Sequence, residues 1–164
     1  HNGFAEDPVQ FRGGWTYDRD QLWQRAGCAP ADMDFVQTYD DYPVISLMQL
    51  EDLGFFEKGA GDAFIAGHDL TCGGSFPHNT SGGQLSVGQA GAAGGFLGIV
   101  EAVRQLTGSA IGAAVPNARR ALVSGFGMVN YDRGVCSAAA VLEHANQPAT
   151  AARHPTTTDS EAAA

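Results

Sequence analysis

The sequence predicts a layered α/β fold, and three strand-like runs and one apolar helix support that prediction. A run of β type covers residues 33–38 (MDFVQT), and further strands are expected over residues 120–125 (RALVSG) and 137–143 (SAAAVLE). A mostly apolar helix is expected over residues 94–106 (GGFLGIVEAVRQL). Because a helix of this composition has little polar surface to offer to water, we expect it to be buried between sheets.

The segment YDDYPVISLMQLEDLGF predicts a second helix that begins in a turn. Asp41 is placed to cap this helix, Pro43 suits its first turn, and Gly54 follows its end. Tyr39 and Tyr42 are thereby placed on the turn between the first strand and this helix. Turns of this kind commonly hold functional side chains on a rigid scaffold.

The remaining segments divide the chain into three regions. Residues 1–29 are expected to form a leading loop and a short helix, and residues 30–145 are expected to form the folded domain. Within the domain, residues 57–83 are rich in glycine and loop-like, and residues 125–136 (GFGMVNYDRGVC) look too long for a plain hairpin turn. Residues 146–164 are rich in Pro, Thr, Ala and charge, which predicts a disordered tail.

Charge and hydropathy exclude two classes of function. The chain has 18 acidic and 9 basic residues and a net charge of −9, so a polyanion such as nucleic acid would be repelled. A membrane-spanning helix needs about 18 apolar residues in a row, and the sequence has no such stretch. No signal peptide is visible and the chain starts at His1, so we expect that a segment was removed or that the N-terminal part lies elsewhere.

The cysteines argue against a disulfide framework and against zinc. Cys28, Cys72 and Cys136 stand far apart, are odd in number and form no C-x-x-C pair. The histidines have no ligand-like spacing either, so we expect no metal site. A reducing cytoplasm is the expected location.

Residues 78–95 carry the first of three motifs that match a known family. They read HNTSGGQLSVGQAGAAGG, which is similar to the thiolase signature Asn-x-x-Gly-Gly, a short spacer, Gly-His-Pro-x-Gly-Ala-x-Gly and a buried helix. The turn YDDY with its helix ending in LEDLGF, and the later strand RALVSGFG, match in order and spacing. The chain therefore resembles the C-terminal half of a thiolase over residues 30–144, which implies a layered αβαβα fold with a mixed sheet and a buried central helix. The positions that keep the signature are Asn79, Gly82, Gly83, Gly88, Ala93 and Gly95.

The departures from the thiolase pattern fall on the catalytic positions. The family's catalytic histidine corresponds to Gln89, and the Asn or His of the turn motif corresponds to Tyr39. The C-terminal catalytic cysteine corresponds to Tyr131 or Asp132. Glutamine donates a hydrogen bond but takes no proton near neutral pH, so Gln89 fits an oxyanion role and not that of a general base.

This combination resembles the sterol-carrier, or lipid-transfer, thiolase-like branch, and within it the steroid side-chain-cleaving aldolases. The resemblance implies a retro-aldol cleavage of a β-hydroxyacyl-CoA, in steroid breakdown to a 17-keto steroid and propionyl-CoA. It implies no bound cofactor, since coenzyme A is part of the substrate. It also implies a homodimer through the thiolase fold and a small partner protein of OB-fold and zinc-ribbon type.

A retro-aldol step needs a base for the β-hydroxyl proton, donors for the enolate oxygen and an acid for the enolate carbon. A tyrosine acts as the base only if a neighbouring cation or hydrogen-bond donor lowers its pKa from about 10. A glycine-rich loop at a helix N-terminus suits the enolate oxygen. The candidate catalytic residues are Tyr39, Asp40, Tyr131 and Asp132. The candidate oxyanion or substrate-binding residues are Gln89, Asn79, Gly82, Gly83 and His78.

Three alternatives stay open at this point. The tyrosines could be packing aromatics and Gln89 an inert remnant of the family's histidine. The protein could be a thiolase or acyltransferase that uses a cysteine of an N-terminal half, although loss of the histidine counts against this. It could also be a non-catalytic subunit that binds acyl-CoA. A cysteine in the nucleophile loop of that N-terminal half would favour the acyltransferase.

Overall fold

A computed structural model describes residues 12–89, 91–130 and 133–145, and in these residues three strands form one mixed sheet. Strand β1 (Phe35–Gln37) pairs in parallel with β2 (Arg120–Asn130), which pairs antiparallel with β3 (Arg133–Glu143). The sheet order is β1-β2-β3, with Phe35 opposite Ala121. The predicted mixed sheet is therefore confirmed.

Five α-helices precede or separate these strands along the described chain. Gly27 ends the first helix and Gly54 follows the second, each with a positive φ that glycine tolerates (63° and 89°). The helices are α1 (Trp15–Ala26), α2 (Pro43–Asp52), α3 (Gly61–Gly67), α4 (Gly83–Val87) and α5 (Phe96–Leu106), with short 3₁₀ turns at Pro30–Asp32 and Gly91–Ala93.

Two local predictions were wrong. Asp41 does not cap α2: the capping position is Tyr42, and no side chain caps it. A cap matters less here because Pro43 at the first helical position has no N–H to satisfy. Residues 57–83 are not all loop, since α3 lies within them.

The segment 125–136 also differs from the prediction. It was expected to be a long irregular connection, but β2 continues to Asn130 and β3 begins at Arg133, with these two residues paired. Its Gly, Asn and Asp residues disfavour strands locally, yet ladder pairing extends both strands. The predicted tail, residues 146–164, lies outside the described residues.

The core has two parts, one on each face of the sheet. Successive strand residues point to opposite faces, so Phe35 faces α5 while Val36 faces α1 and α2. On the α5 face, Phe35 packs with Ala102, Leu106, Val115, Ala121 and Val123. On the other face, Val36 packs with Trp15, Leu50, Leu53 and Leu122. The described chain is therefore layered helix–sheet–helix.

The predicted burial of α5 between sheets is confirmed on one face only. The sheet-facing side buries Ala102 and Leu106 and also the polar Glu101 and Gln105. The opposite side exposes apolar residues, because the described residues place a sheet on one side of the helix only. The exposed apolar residues are Phe96, Ile99, Val100 and Val103. For that side, burial against a second layer stays a prediction.

Candidate active site

A cavity of about 390 Å³ opens where β1 ends. The turn after β1 lines one side of it, and the segment from Asn79 to Gly95 lines the other. The first turns of α5 and residues 124–127 of β2 close the remaining walls. The parallel pairing of β1 and β2 places the turn beside the middle of β2. Ligand sites of open α/β sheets commonly lie outside the carboxyl ends of parallel strands, as this cavity does.

Tyr39 and Gln89 meet inside this cavity. The Gln89 amide nitrogen Nε2 donates a hydrogen bond to the Tyr39 hydroxyl at 3.0 Å. The Tyr39 ring packs near Phe126, with ring centroids 6.2 Å apart. The two residues are 50 positions apart in the chain, and the fold brings them together.

The surroundings of Tyr39 keep its phenol protonated. Burial raises the pKa of the Tyr39 hydroxyl, and the negative charge of Asp41 raises it further, while the Gln89 hydrogen bond opposes them. No cation is among the described residues that line the cavity, and the one donor named on the hydroxyl, Gln89, does not offset the groups that raise the pKa of Tyr39. This phenol is therefore better suited to donate a proton or a hydrogen bond than to accept a proton.

Asp40 ties the turn after β1 to the glycine-rich loop. Its side chain is buried, and Oδ1 accepts a hydrogen bond from the backbone N–H of Gln84 at 2.7 Å. Gly83 is required beside it, because a Cβ on Gly83 would lie 1.9 Å from Asp40 Oδ2. Asp40 lines the cavity, and its observed contact is with the N-terminal end of α4.

Asn79 and His78 hold the same turn from the other side. Asn79 Oδ1 accepts a hydrogen bond from the backbone N–H of Thr38 at 2.8 Å, and its own N–H donates to Val36 at 2.9 Å. His78 Nε2 lies 2.7 Å from the Thr38 hydroxyl. Burial lowers the pKa of His78 to about 4, against the opposing charge of Asp40, so its ring is neutral at neutral pH.

The sequence-predicted residues thus separate into three groups. Tyr39, Asp40, Asn79, Gly83 and Gln89 line one cavity. His78 and Gly82 do not line it, because His78 lies behind Thr38 and Gly82 makes the turn into α4 with a φ of 87°. Tyr131 and Asp132 lie outside the described residues, directly after Asn130 at the end of β2.

Ser124, Phe126 and Gln49 are among the residues at the site that were not found from the sequence. Ser124 and Phe126 line the cavity from β2, and Gln49 is fully buried beneath the turn. The alternation of β2 was the available signal for the first two, because they lie on the same face as buried Leu122. Gln49 had no local signal, since its partner Ser124 is 75 residues away.

Two other features are absent from the described residues. Within residues 12–89, 91–130 and 133–145, no group of three or more His, Cys, Asp or Glu side chains is placed to hold a metal ion. No helix in that part of the chain is both long and apolar enough to cross a membrane.

Known proteins with similar sequences include two that are named as a lyase and an aldolase, and others that are named as sterol carrier protein 2, a thiolase subunit and an acetyltransferase. The chain is 43% identical over 91 residues to a 17-hydroxy-3-oxo-4-pregnene-20-carboxyl-CoA lyase of Mycobacterium tuberculosis, covering 56% of this chain and 23% of that protein. It is 42% identical over 91 residues to a steroid side-chain-cleaving aldolase of Thermomonospora curvata, covering 56% of this chain and 22% of that protein. The chain thus spans less than a quarter of the length of these relatives.

A solved structure shares the fold. The chain superposes on the "Ltp2-ChsH2(DUF35) aldolase" with a TM-score of 0.63 and 28% sequence identity, over 80% of this chain and 32% of that one. The sequence model of the family described as thiolase C-terminal domain-like matches residues 18–143. Because this match extends over well more than half of the chain, the chain belongs to the thiolase C-terminal domain-like family.

Proposed function

We propose that the protein containing this chain is a retro-aldol lyase that cleaves a carbon–carbon bond of a β-hydroxyacyl-CoA. The observation that carries the proposal is the hydrogen bond between Gln89 and the Tyr39 phenol inside the cavity. At these positions the thiolase pattern has a histidine that takes protons, and this chain has two groups that donate hydrogen bonds. The similarity to two relatives named as a lyase and an aldolase supports the same reaction class.

The reaction needs no covalent bond between enzyme and substrate. A base removes the β-hydroxyl proton, and the oxygen's electron pair becomes the ketone carbonyl as the bond between Cα and Cβ breaks. The electrons of that bond form a thioester enolate, whose α-carbon then takes a proton. Tyr39 is the proposed donor of that proton, because its raised pKa keeps it protonated.

The other groups have complementary roles in this proposal. The Gln89 amide carries two N–H bonds, of which one reaches Tyr39, so the second is a candidate donor to the enolate oxygen. The base is proposed among Tyr131 and Asp132, because one of them corresponds in sequence to the C-terminal catalytic cysteine of the thiolase pattern. Asp40 is proposed to hold the loop that carries Gln89, through its contact with Gln84.

The proposed substrate is a steroid side-chain 17-hydroxy thioester, with a ketone and propionyl-CoA as products. The names of the relatives support this choice, since one is a pregnene carboxyl-CoA lyase and the other cleaves steroid side chains. We also propose a homodimer and a small OB-fold and zinc-ribbon partner. The name of the structural neighbour, which joins Ltp2 to ChsH2(DUF35), supports a second protein component.

The test is to incubate the complete protein, with and without the small partner, with a β-hydroxyacyl-CoA that carries a bulky ring. Mass spectrometry should find the free ketone and a short acyl-CoA in equal amounts, without consumption of free coenzyme A. The same protein with a β-ketoacyl-CoA and coenzyme A should release no acetyl-CoA. Thiolysis in that second assay would support the acyltransferase instead, and binding without turnover would support a non-catalytic subunit.

A further inference from the structure

The Gln49 side chain makes four hydrogen bonds close to the cavity, yet it does not line the cavity. It lies on α2 with no exposed surface, directly beneath the turn after β1. Its amide nitrogen donates to the backbone oxygens of Tyr39 at 2.6 Å and Ile45 at 3.0 Å. Its oxygen Oε1 accepts from the Tyr39 backbone N–H at 3.1 Å and from the Ser124 hydroxyl at 2.7 Å.

The hydrogen bonds from Gln49 to the Tyr39 backbone take the place of those that a neighbouring strand would make. The ladder between β1 and β2 ends at the pair of Gln37 and Val123, so Tyr39 is past its end. A backbone this deep in the fold needs partners for its N–H and its C=O. One carboxamide supplies both, and Ser124 of β2 then binds that carboxamide in place of a ladder bond. Gln49 thus fixes the peptide units on both sides of the Tyr39 Cα.

We propose that Gln49 is a positioning residue, which holds the backbone of Tyr39 so that its phenol points at Gln89 and into the cavity. The inference deepens the proposed function and rests on it. Fixing both peptide units fixes the direction of the Cα–Cβ bond, and packing against Phe126 restricts the ring further. A misplacement of about 1 Å in a reacting group can cost a hundredfold in rate, so control of this kind is expected to appear in turnover.

A matched control exists in the same chain. Gln105 on α5 is also buried and also binds a loop through both ends of its carboxamide: its nitrogen donates to Ala113 at 3.0 Å, and its oxygen accepts from the Val115 N–H at 2.9 Å. Its partners do not include Tyr39, and it does not line the cavity. Gln105→Met and Gln49→Met therefore each remove the hydrogen bonds that a buried carboxamide makes to a loop, and Gln105→Met also removes one to Glu101 at 2.8 Å. Only Gln49 is bonded to the backbone of Tyr39.

The test is a double-mutant cycle in the complete protein, with the ring-bearing β-hydroxyacyl-CoA as substrate and only the folded fraction counted. Gln49→Met should lower kcat roughly tenfold with little change in KM. In the Tyr39→Phe background the same change should lower kcat by less than about twofold, because no hydroxyl is left to position. Gln105→Met should lower the midpoint of urea unfolding similarly and leave kcat unchanged in both backgrounds.

The inference is overturned if Gln49→Met lowers kcat equally with and without the Tyr39 hydroxyl. It is also overturned if Gln49→Met and Gln105→Met lower kcat equally, because either result would show a merely structural role. If Gln49→Met does not fold, Ser124→Ala replaces it in the cycle, because it removes one donor to Gln49 and leaves the glutamine in place. Ser124→Ala should lower kcat by a smaller factor, about threefold, and this loss should again depend on the Tyr39 hydroxyl. If Tyr39→Phe alone keeps full turnover, the role of Tyr39 in the proposed function fails as well.

Discussion

The two segments that carry Tyr39 and Gln89 are held very differently. The turn after β1 is bound by side chains from two segments. From α2, Gln49 binds the backbone of Tyr39 and Ser46 binds the Thr38 hydroxyl. From the segment before α4, Asn79 binds the Thr38 N–H and His78 contacts the Thr38 hydroxyl. The glycine-rich loop is bound at its beginning, where Asp40 holds Gln84, and its residues 85–89 are exposed. One partner of the hydrogen bond is therefore fixed by a buried network, and the other sits on an exposed segment.

This difference suggests a division of labour at the site. A group that must deliver a proton to one carbon gains from a fixed position. A group that only donates a hydrogen bond to an oxygen tolerates some movement, because hydrogen bonds accept a range of angles. The following changes test whether the turn and the loop differ in this way.

The largest effect is expected on the turn, from removal of the phenol oxygen. Tyr39→Phe keeps the ring and its contact with Phe126 and removes only the hydroxyl. Loss of general acid or base catalysis typically costs about 10²–10⁴-fold, so we expect turnover to fall by at least roughly a hundredfold. Tyr131→Phe is expected to cost as much. Steady-state kinetics of the complete protein, with circular dichroism as the control for folding, measure both.

Near-normal turnover in both Phe variants would contradict the role of the phenols. The two tyrosines would then be packing residues, as one alternative from the sequence has it. Asp40, Asp41 and Asp132, or residues of an N-terminal half, would become the next candidates for the proton transfers.

The second-largest effect is expected in the pH dependence of stability, through His78, which contacts Thr38 of the turn. His78 has a folded pKa of about 4, below the ordinary value of 6.5, so the fold favours its neutral ring. Above about pH 6.5 the contribution of the neutral His78 ring to the free energy of unfolding is fully present. Between pH 6.5 and 4 the unfolded chain takes up the proton first, so the stabilisation is lost as pH falls. The loss amounts to at most about 3 kcal/mol.

Urea unfolding at several pH values between 7.5 and 4 measures this contribution. His78→Gln can keep a hydrogen bond to the Thr38 hydroxyl but does not titrate, so its free energy of unfolding should fall less steeply toward pH 4. Identical slopes for the wild type and the variant would show that other groups cause the pH dependence.

The sequence predicted the members of the site better than the way they are held. Tyr39 and Gln89 were found because they stand where a family motif has catalytic residues, and the fold does bring them together. Gln49 was missed because a polar residue on a helix gives no sign of its partners until the tertiary fold is known. Its ties to Tyr39 and Ser124 cross 10 and 75 residues of sequence.

The strands and helices could likewise be predicted only where local sequence determines them. Hydrophobic runs located β1 and the beginning of β2, because burial on two faces leaves a clear pattern, and a run rich in Ala and Val located the later part of β3. The extension of β2 to Asn130 and the start of β3 at Arg133 were missed, since the glycines of these segments and Asn130 favour turns locally and only pairing makes them strands. The apolar composition of α5 predicted burial correctly on one face, and burial of the other face stays a prediction.

The third prediction tests the anchor that joins the turn to the loop. Gly83→Ala would place a methyl group 1.9 Å from Asp40 Oδ2, at a φ of 64° that also strains alanine. Gly27→Ala is the control, because Gly27 has a φ of 63° and nothing within 4 Å of the added carbon. Left-handed backbone costs each variant about 1–2 kcal/mol. The clash should lower the free energy of unfolding of Gly83→Ala by roughly 1–3 kcal/mol more. Urea unfolding measures this difference. Equal losses of stability in the two variants would argue against close packing between Gly83 and Asp40.

The smallest effect is expected on the exposed loop. Gln89→Ala removes the amide that donates to Tyr39, and that hydrogen bond lowers the pKa of the phenol. Without it the phenol pKa rises further, so Tyr39 stays protonated but becomes a slightly weaker acid. Because the backbone N–H groups of the glycine-rich loop can still stabilise an enolate oxygen, we expect turnover to fall less than about tenfold. If kcat instead falls as far as in Tyr39→Phe, Gln89 is as essential as the phenol, and the contrast between a fixed turn and a tolerant loop does not hold.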